Sequence, residues 1–201
     1  MGTRGRTSLS IGAITLNTPS SQAAPPSGWL ARPENRRTIL FCLLFGLFLG
    51  AGYFLSIYRP VVEHGVEPFT AFIAKVSSVI LNLLGAKAHA AGTRLAGDGV
   101  AFELRNGCNG VWATIIFVSA VLAFPSTFAA KVTGVVAGFC AIFVINLMRV
   151  ISLYYIVRYY PKVFEGAHIY VWQSIVIAAA VLLWLFWAQR AIPAEREGPQ
   201  G

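Results

Sequence analysis

Residues 132–157 read VTGVVAGFCAIFVINLMRVISLYYIV, an apolar run whose only charge is Arg149. The run exceeds the roughly 20 residues that an α-helix needs to cross a bilayer, with some length left for tilt. Three more apolar runs lie around it, Thr38–Ile57, Val111–Phe124 and Ile169–Ala188. The whole chain of 201 residues agrees with them. It is 56% hydrophobic with 12% charged residues, where soluble domains carry about 25%. Its mean hydropathy is +0.65. The expected fold is an all-α polytopic membrane protein of about four transmembrane helices, with an extracytoplasmic amphipathic helix and a small β-hairpin.

The amphipathic helix is read from Phe69–Leu84. Phe69, Phe72, Ile73, Val76, Ile80 and Leu83 recur at helical spacing, and Thr70, Lys75, Ser78 and Asn82 occupy the opposite face. Lys75 weighs against a lone span, so the helix is expected on the membrane surface or against the bundle. The hairpin is read from Gly97-Asp98-Gly99, set between Thr93–Leu95 and Val100–Leu104.

The ends are polar. Residues 1–37, rich in Gly, Ser, Thr and Pro with several Arg, are expected to be a disordered cytoplasmic tail. No short apolar segment with a cleavage site suggests a removable signal peptide there. Residues 38–190 form the membrane domain, and 191–201 a second cytoplasmic tail. Basic residues nearly balance across the bilayer, but Arg32, Arg36 and Arg37 crowd the first span and place the N-terminus inside. The net charge of +8 reads as such topogenic charge. Membrane lipid is the surrounding partner. No basic cluster with interleaved aromatics marks a nucleic-acid or anionic-lipid surface.

Three cysteines lack CxxC or zinc-ligand spacing. Cys42 and Cys140 lie inside apolar runs, which leaves Cys108 as the accessible free thiol. It stands in Asn106-Gly107-Cys108-Asn109-Gly110, just before an apolar helix. On the four-span topology Arg149 and His168 fall on the same side of the bilayer as Cys108, whichever way the protein is inserted. An Arg this deep in apolar sequence is costly and normally faces a partner or cavity. A thiolate is the working nucleophile, and a helix N-terminus or a nearby guanidinium lowers a thiol's pKa. His168 is placed to take the thiol proton and return it to a leaving amine. Gly107 and Gly110 would let a peptide backbone approach. Asn146 shares a helix face with Arg149. Arg105 and Arg158 are reserve candidates for the cation.

Asn106-Gly107-Cys108-Asn109-Gly110, then Asn146-Leu147-Met148-Arg149-Val150, then His168 before a last membrane helix, resembles the exosortase/archaeosortase family. The short chain, with a single span before its extracytoplasmic segment, is most similar to exosortase H. The resemblance covers roughly residues 38–188. It implies a cysteine transpeptidase that cleaves C-terminal sorting signals of exported proteins, each a short motif, a membrane helix and a basic tail. It places that reaction at the periplasmic face of a bacterial inner membrane and passes the product to an acceptor. By the same resemblance Cys108 is the nucleophile, His168 the general acid or base, and Arg149 the stabilising cation. Asn106, Asn109, Gly110 and Asn146 are the expected substrate contacts, and neither metal nor cofactor is called for.

Rival chemistries lack their residues. There is no GxSG for an intramembrane serine protease, no HExxH for a metalloprotease, and no paired His for a lipid phosphatase. A non-enzymatic membrane subunit or transporter would account for the helices but leaves Arg149 and the Cys108 loop without a purpose.

Overall fold

The computed structural model describes residues 33–104 and 107–191. Residues 1–32 and 192–201, which carry most of both expected tails, lie outside the described residues, as do Arg105 and Asn106. In chain order the elements are α1 (Pro33–Ile57), α2 (Arg59–Val61), a π-helical turn (Val62–Val66), α3 (Glu67–Leu83), β1 (Ala88–Ala91), β2 (Arg94–Gly97) and β3 (Val100–Glu103). Then come α4 (Val111–Ala123), α5 (Phe128–Tyr159), a 3-10 turn (Pro161–Val163), α6 (Phe164–Gly166), a π-helical turn (Ala167–Trp172) and α7 (Gln173–Ala191). The protein is a multi-pass membrane protein, helical apart from one small antiparallel sheet.

Local chemistry sets the breaks. Pro125 forces Phe124 into an extended conformation, which ends α4. The Thr127 side chain then caps α5, its Oγ accepting the Ala130 N–H at 3.3 Å. Pro161 stops α5 in the same way through Tyr160, at φ −137°.

Contacts give the direction of each helix. Gly134 and Gly138 on α5 are pressed by Trp187 of α7 and Phe117 of α4, an approach that a side chain would block. Trp187 also donates to the Ala130 carbonyl at 3.0 Å, joining the end of α7 to the start of α5. On α1, Phe41 packs on Phe124 and Trp184, while Tyr53 packs on Trp112. So α1 and α5 run one way through the bundle, and α4 and α7 run the other. Leu43, Leu47, Phe54, Val136, Leu182 and Phe186 are exposed on these helices, a greasy outer surface that suits lipid.

Four segments are long and apolar enough to cross a membrane: Asn35–Ile57, Arg59–Leu83, Phe128–Tyr159 and Pro161–Ala191. This differs from the expected set in two places. Arg59–Leu83 qualifies by length and composition, although both its ends are tied to one side of the bundle. Tyr58 joins it to the end of α1, and Asn82 bonds the backbone of Ala88 in β1 on that same side. In between, Val61, Gly65 and Phe69 share a groove with Ile115 and Phe139, so the segment packs against the bundle. Conversely, α4 has only 13 residues, about 20 Å at 1.5 Å per residue, so Val111–Phe124 is too short for a full crossing.

The polarity of α3 also differs from expectation. Thr70, Ser77 and Ser78 are buried with Ile73, Ala74 and Leu81, while Phe72, Val79 and Leu83 are exposed beside Lys75. In a bilayer small polar groups go to protein partners and bulky apolar ones go to lipid, which inverts the soluble-protein pattern.

The sheet has the order β1-β2-β3, one strand more than the expected hairpin. Asp98 and Gly99, at φ 50° and 83°, form the tight turn joining β2 to β3. The Asp98 carboxylate accepts from the Lys87 N–H at 3.1 Å, the Tyr154 hydroxyl at 3.2 Å and the Arg158 guanidinium at 2.5 Å. These bonds latch the sheet onto the C-terminal end of α5. The Lys87 N–H above all, helped by Tyr154 and the charges of Arg158 and Lys87, holds the Asp98 carboxyl below the ordinary carboxylate range, while burial opposes them.

Candidate functional site

The loop before α4 turns through two left-handed residues, Gly107 at φ +104° and Gly110 at φ +74°. Gly110 also needs to be small. A Cβ there would lie 3.2 Å from the Asn146 Cγ. Asn109 fixes the loop from below: its side chain accepts the Val111 N–H at 3.2 Å and donates to the Thr70 hydroxyl at 3.0 Å. Thr70 in turn donates to the Val66 carbonyl at 2.7 Å. Asn109 is almost completely buried, so this expected substrate contact holds the loop onto α3.

Cys108 sits at the top of this turn, two residues before Gly110, the N-cap of α4. Arg149 reaches it from α5. Nη1 donates to the Gly107 carbonyl at 3.2 Å and Nη2 to the Cys108 sulfur at 3.7 Å, while Nε has no partner among the described residues. Arg149 is only 2% exposed, and no described carboxylate pairs with it. A buried guanidinium satisfied by one carbonyl and one sulfur has unspent capacity for an anion.

His168 approaches from the turn leading into α7, and its Nε2 contacts the Cys108 sulfur. Phe164, one turn earlier, stacks on the imidazole with ring planes 3° apart and centroids 5.8 Å apart. Cys108, Arg149 and His168 therefore meet, although 41 and 60 residues separate the second and third from the first. Asn146 lies one turn below Arg149, buried against Gly110, with both amide atoms lacking a partner among the described residues. Of the remaining candidates, Asn106 and Arg105 lie outside the described residues. Arg158 is engaged with Asp98 at the sheet.

Electrostatics modify the expected thiol chemistry. Burial pushes the Cys108 thiol above its ordinary pKa, and the charge and hydrogen bond of Arg149 offset this only in part. His168 Nε2 is the base in contact with this sulfur. All three cysteines are free, and Cys42 and Cys140 are exposed on the outer faces of α1 and α5, not buried in the bundle. Of the partners, Thr70 stood in the sequence only as part of the polar face of the amphipathic helix, and Phe164 was not singled out. Phe164 and His168 do stand at i, i+4 spacing, whereas no local signal pairs Thr70 with Asn109.

A polar cavity of about 660 Å³, lined by Glu63, Glu67, Thr70, Thr93 and Glu103, flanks the loop on the sheet side. Through Thr70 it borders Asn109, next to the reactive sulfur.

Among curated proteins and among solved structures, none matches the chain. The sequence profile of the transmembrane exosortases (Exosortase_EpsH) matches residues 28–187. That range takes in every described element up to the last turn of α7, and with them Cys108, Arg149 and His168. The chain belongs to the transmembrane exosortase family.

Proposed function

We propose that this exosortase is a membrane-embedded cysteine peptidase and transpeptidase. In this reading it cleaves C-terminal sorting signals of exported proteins at the periplasmic face of the bacterial inner membrane and passes them to an acceptor. One observation carries the reading: a single sulfur, Cys108 Sγ, touches both a base, His168 Nε2, and a buried cation, Arg149 Nη2, that has no carboxylate partner among the described residues.

The chemistry is acyl transfer. His168 Nε2 takes the thiol proton as Cys108 Sγ attacks a peptide carbonyl, forming a C–S bond and an oxyanion. The guanidinium of Arg149 faces the developing negative charge. Collapse breaks the C–N bond, and His168 returns the proton to the leaving amine. A second nucleophile, an amine, hydroxyl or water, then gives its proton to His168 and displaces the thiolate. The amide of Asn146, without a partner among the described residues, offers an NH2 donor group and a carbonyl acceptor, the complement of a peptide C=O and N–H. Asn106 and Gly110 complete the proposed substrate contacts.

The test is mass spectrometry of a co-expressed candidate substrate, comparing the chain with its Cys108→Ala variant. A new substrate C-terminus that depends on Cys108 is expected, and its mass identifies the acceptor. Unchanged processing by the variant would overturn the reading and favour a non-enzymatic membrane subunit.

A further inference from the structure

At the end of the bundle opposite Cys108, the first turns of α1 and the α4–α5 connection enclose a groove of about 740 Å³. Leu40, Phe41 and Leu44 form one wall, and Leu122 and Phe124 form the other. Two cations line it, Arg37 from α1 and Lys131 from the first turn of α5, with no carboxylate among the lining residues. The Lys131 ammonium donates to the Leu122 carbonyl at 2.6 Å, which fixes it at the groove and leaves two N–H groups without a partner among the described residues. The Ser126 hydroxyl also lines the groove, its oxygen buried and without a partner among the described residues.

One anchored cation, Lys131, and one exposed cation, Arg37, beside an apolar slot complement a particular amphiphile. The ligand needs one anionic group compact enough to meet both cations and a hydrocarbon chain to fill the slot. Arg37 and Lys131 each stand in the first turns of a membrane helix, where lipid headgroups lie. A zwitterionic headgroup would bring its own ammonium against them, and a soluble anion would leave the apolar walls uncovered.

We infer that this groove is a binding site for one anionic glycerophospholipid. Its phosphate lies between Arg37 and Lys131, Ser126 donates to a phosphate oxygen, and an acyl chain runs along Leu40, Leu44 and Leu122. The site is remote from Cys108 and does not depend on the proposed reaction.

The experiment is native mass spectrometry of the full chain released from nanodiscs of phosphatidylglycerol or of phosphatidylcholine. Wild type is expected to retain one phosphatidylglycerol and little phosphatidylcholine. The Arg37→Gln/Lys131→Gln variant should retain about tenfold less phosphatidylglycerol, since each cation near an anionic lipid contributes appreciably. Arg37→Gln and Ser126→Ala, which leave the bond from Lys131 to Leu122 in place, should each give a smaller loss at unchanged helicity by circular dichroism. Equal retention of the two lipids, or equal retention by wild type and the double variant, overturns the site. Displacement of the lipid by millimolar inorganic phosphate overturns it as well, marking a simple anion site.

Discussion

Arg149 grips the Cys108 loop at two points, the Gly107 carbonyl through Nη1 and the Cys108 sulfur through Nη2. The fork that spans these two atoms is a property of guanidinium and not of ammonium. Arg149→Lys keeps the charge but meets only one of the two. Substrate processing by that variant should fall by about 100-fold or more, the scale seen when one oxyanion donor is lost. Near-normal processing would reduce Arg149 to a packing residue.

The burial of Cys108 gives a pH signature. A thiol whose pKa is raised ionises later, so its reactivity should keep climbing with pH beyond the ordinary cysteine range. Removing the Arg149 charge takes away the opposing influence, so Arg149→Gln should move the profile to still higher pH. Alkylation rates of Cys108 in a Cys42→Ser/Cys140→Ser background measure both. A profile centred below the ordinary thiol range, or unmoved by Arg149→Gln, would contradict this electrostatic account.

Gly110→Ala combines two penalties. Its φ of +74° costs an L-residue about 1–2 kcal/mol, and its Cβ crowds Asn146 at 3.2 Å. Thermal denaturation should show a lower midpoint than for Gly65→Ala, where nothing stands within 4 Å.

Thr70→Val removes one partner of the buried Asn109 amide, a loss of about 1–3 kcal/mol. The Cys108 loop is then expected to lose rigidity with the helices intact. Hydrogen exchange should rise at Asn109 and Val111 but not in α7. Exchange unchanged at the loop would show that Thr70 does not anchor it.

The Asp98 latch predicts acid sensitivity. A carboxyl held below its ordinary range stabilises the folded state above its unfolded pKa, and that contribution is lost as pH falls through its folded pKa. Asp98→Asn should therefore melt earlier than wild type at neutral pH, with the gap closing in strong acid. A gap independent of pH would mean that the carboxylate charge is not what the latch uses.

How much of this was legible in the sequence depends on where each signal is stored. Arg149 announced itself because a charge in an apolar run has no cheap explanation, and Asp98-Gly99 because few dipeptides suit that turn. Strand β1, Ala88–Ala91, was invisible because small residues carry little strand signal, and its pairing is set by Asn82 six residues earlier. Thr70 and Ser78 of α3 stand on the polar face of the expected amphipathic helix yet turn inward, because periodicity marks two faces without saying which one meets protein. The groove between Arg37 and Lys131 depends on helices distant in sequence, so no local cluster could reveal it. The same holds for the thiol: sequence shows a helix start beside it but not the burial that outweighs it.

The shortness of α4 has a consequence for whatever peptide reaches the sulfur. Cys108 lies level with Asn146 and Arg149, ten residues before the end of α5 at Tyr159, or about 15 Å down the bundle at 1.5 Å per residue. An extended chain covers that depth in about five residues at roughly 3.3 Å each. If the chain acts as proposed, a folded domain on the substrate would need about five unstructured residues between it and the bond presented to Cys108 in order to clear the end of α5.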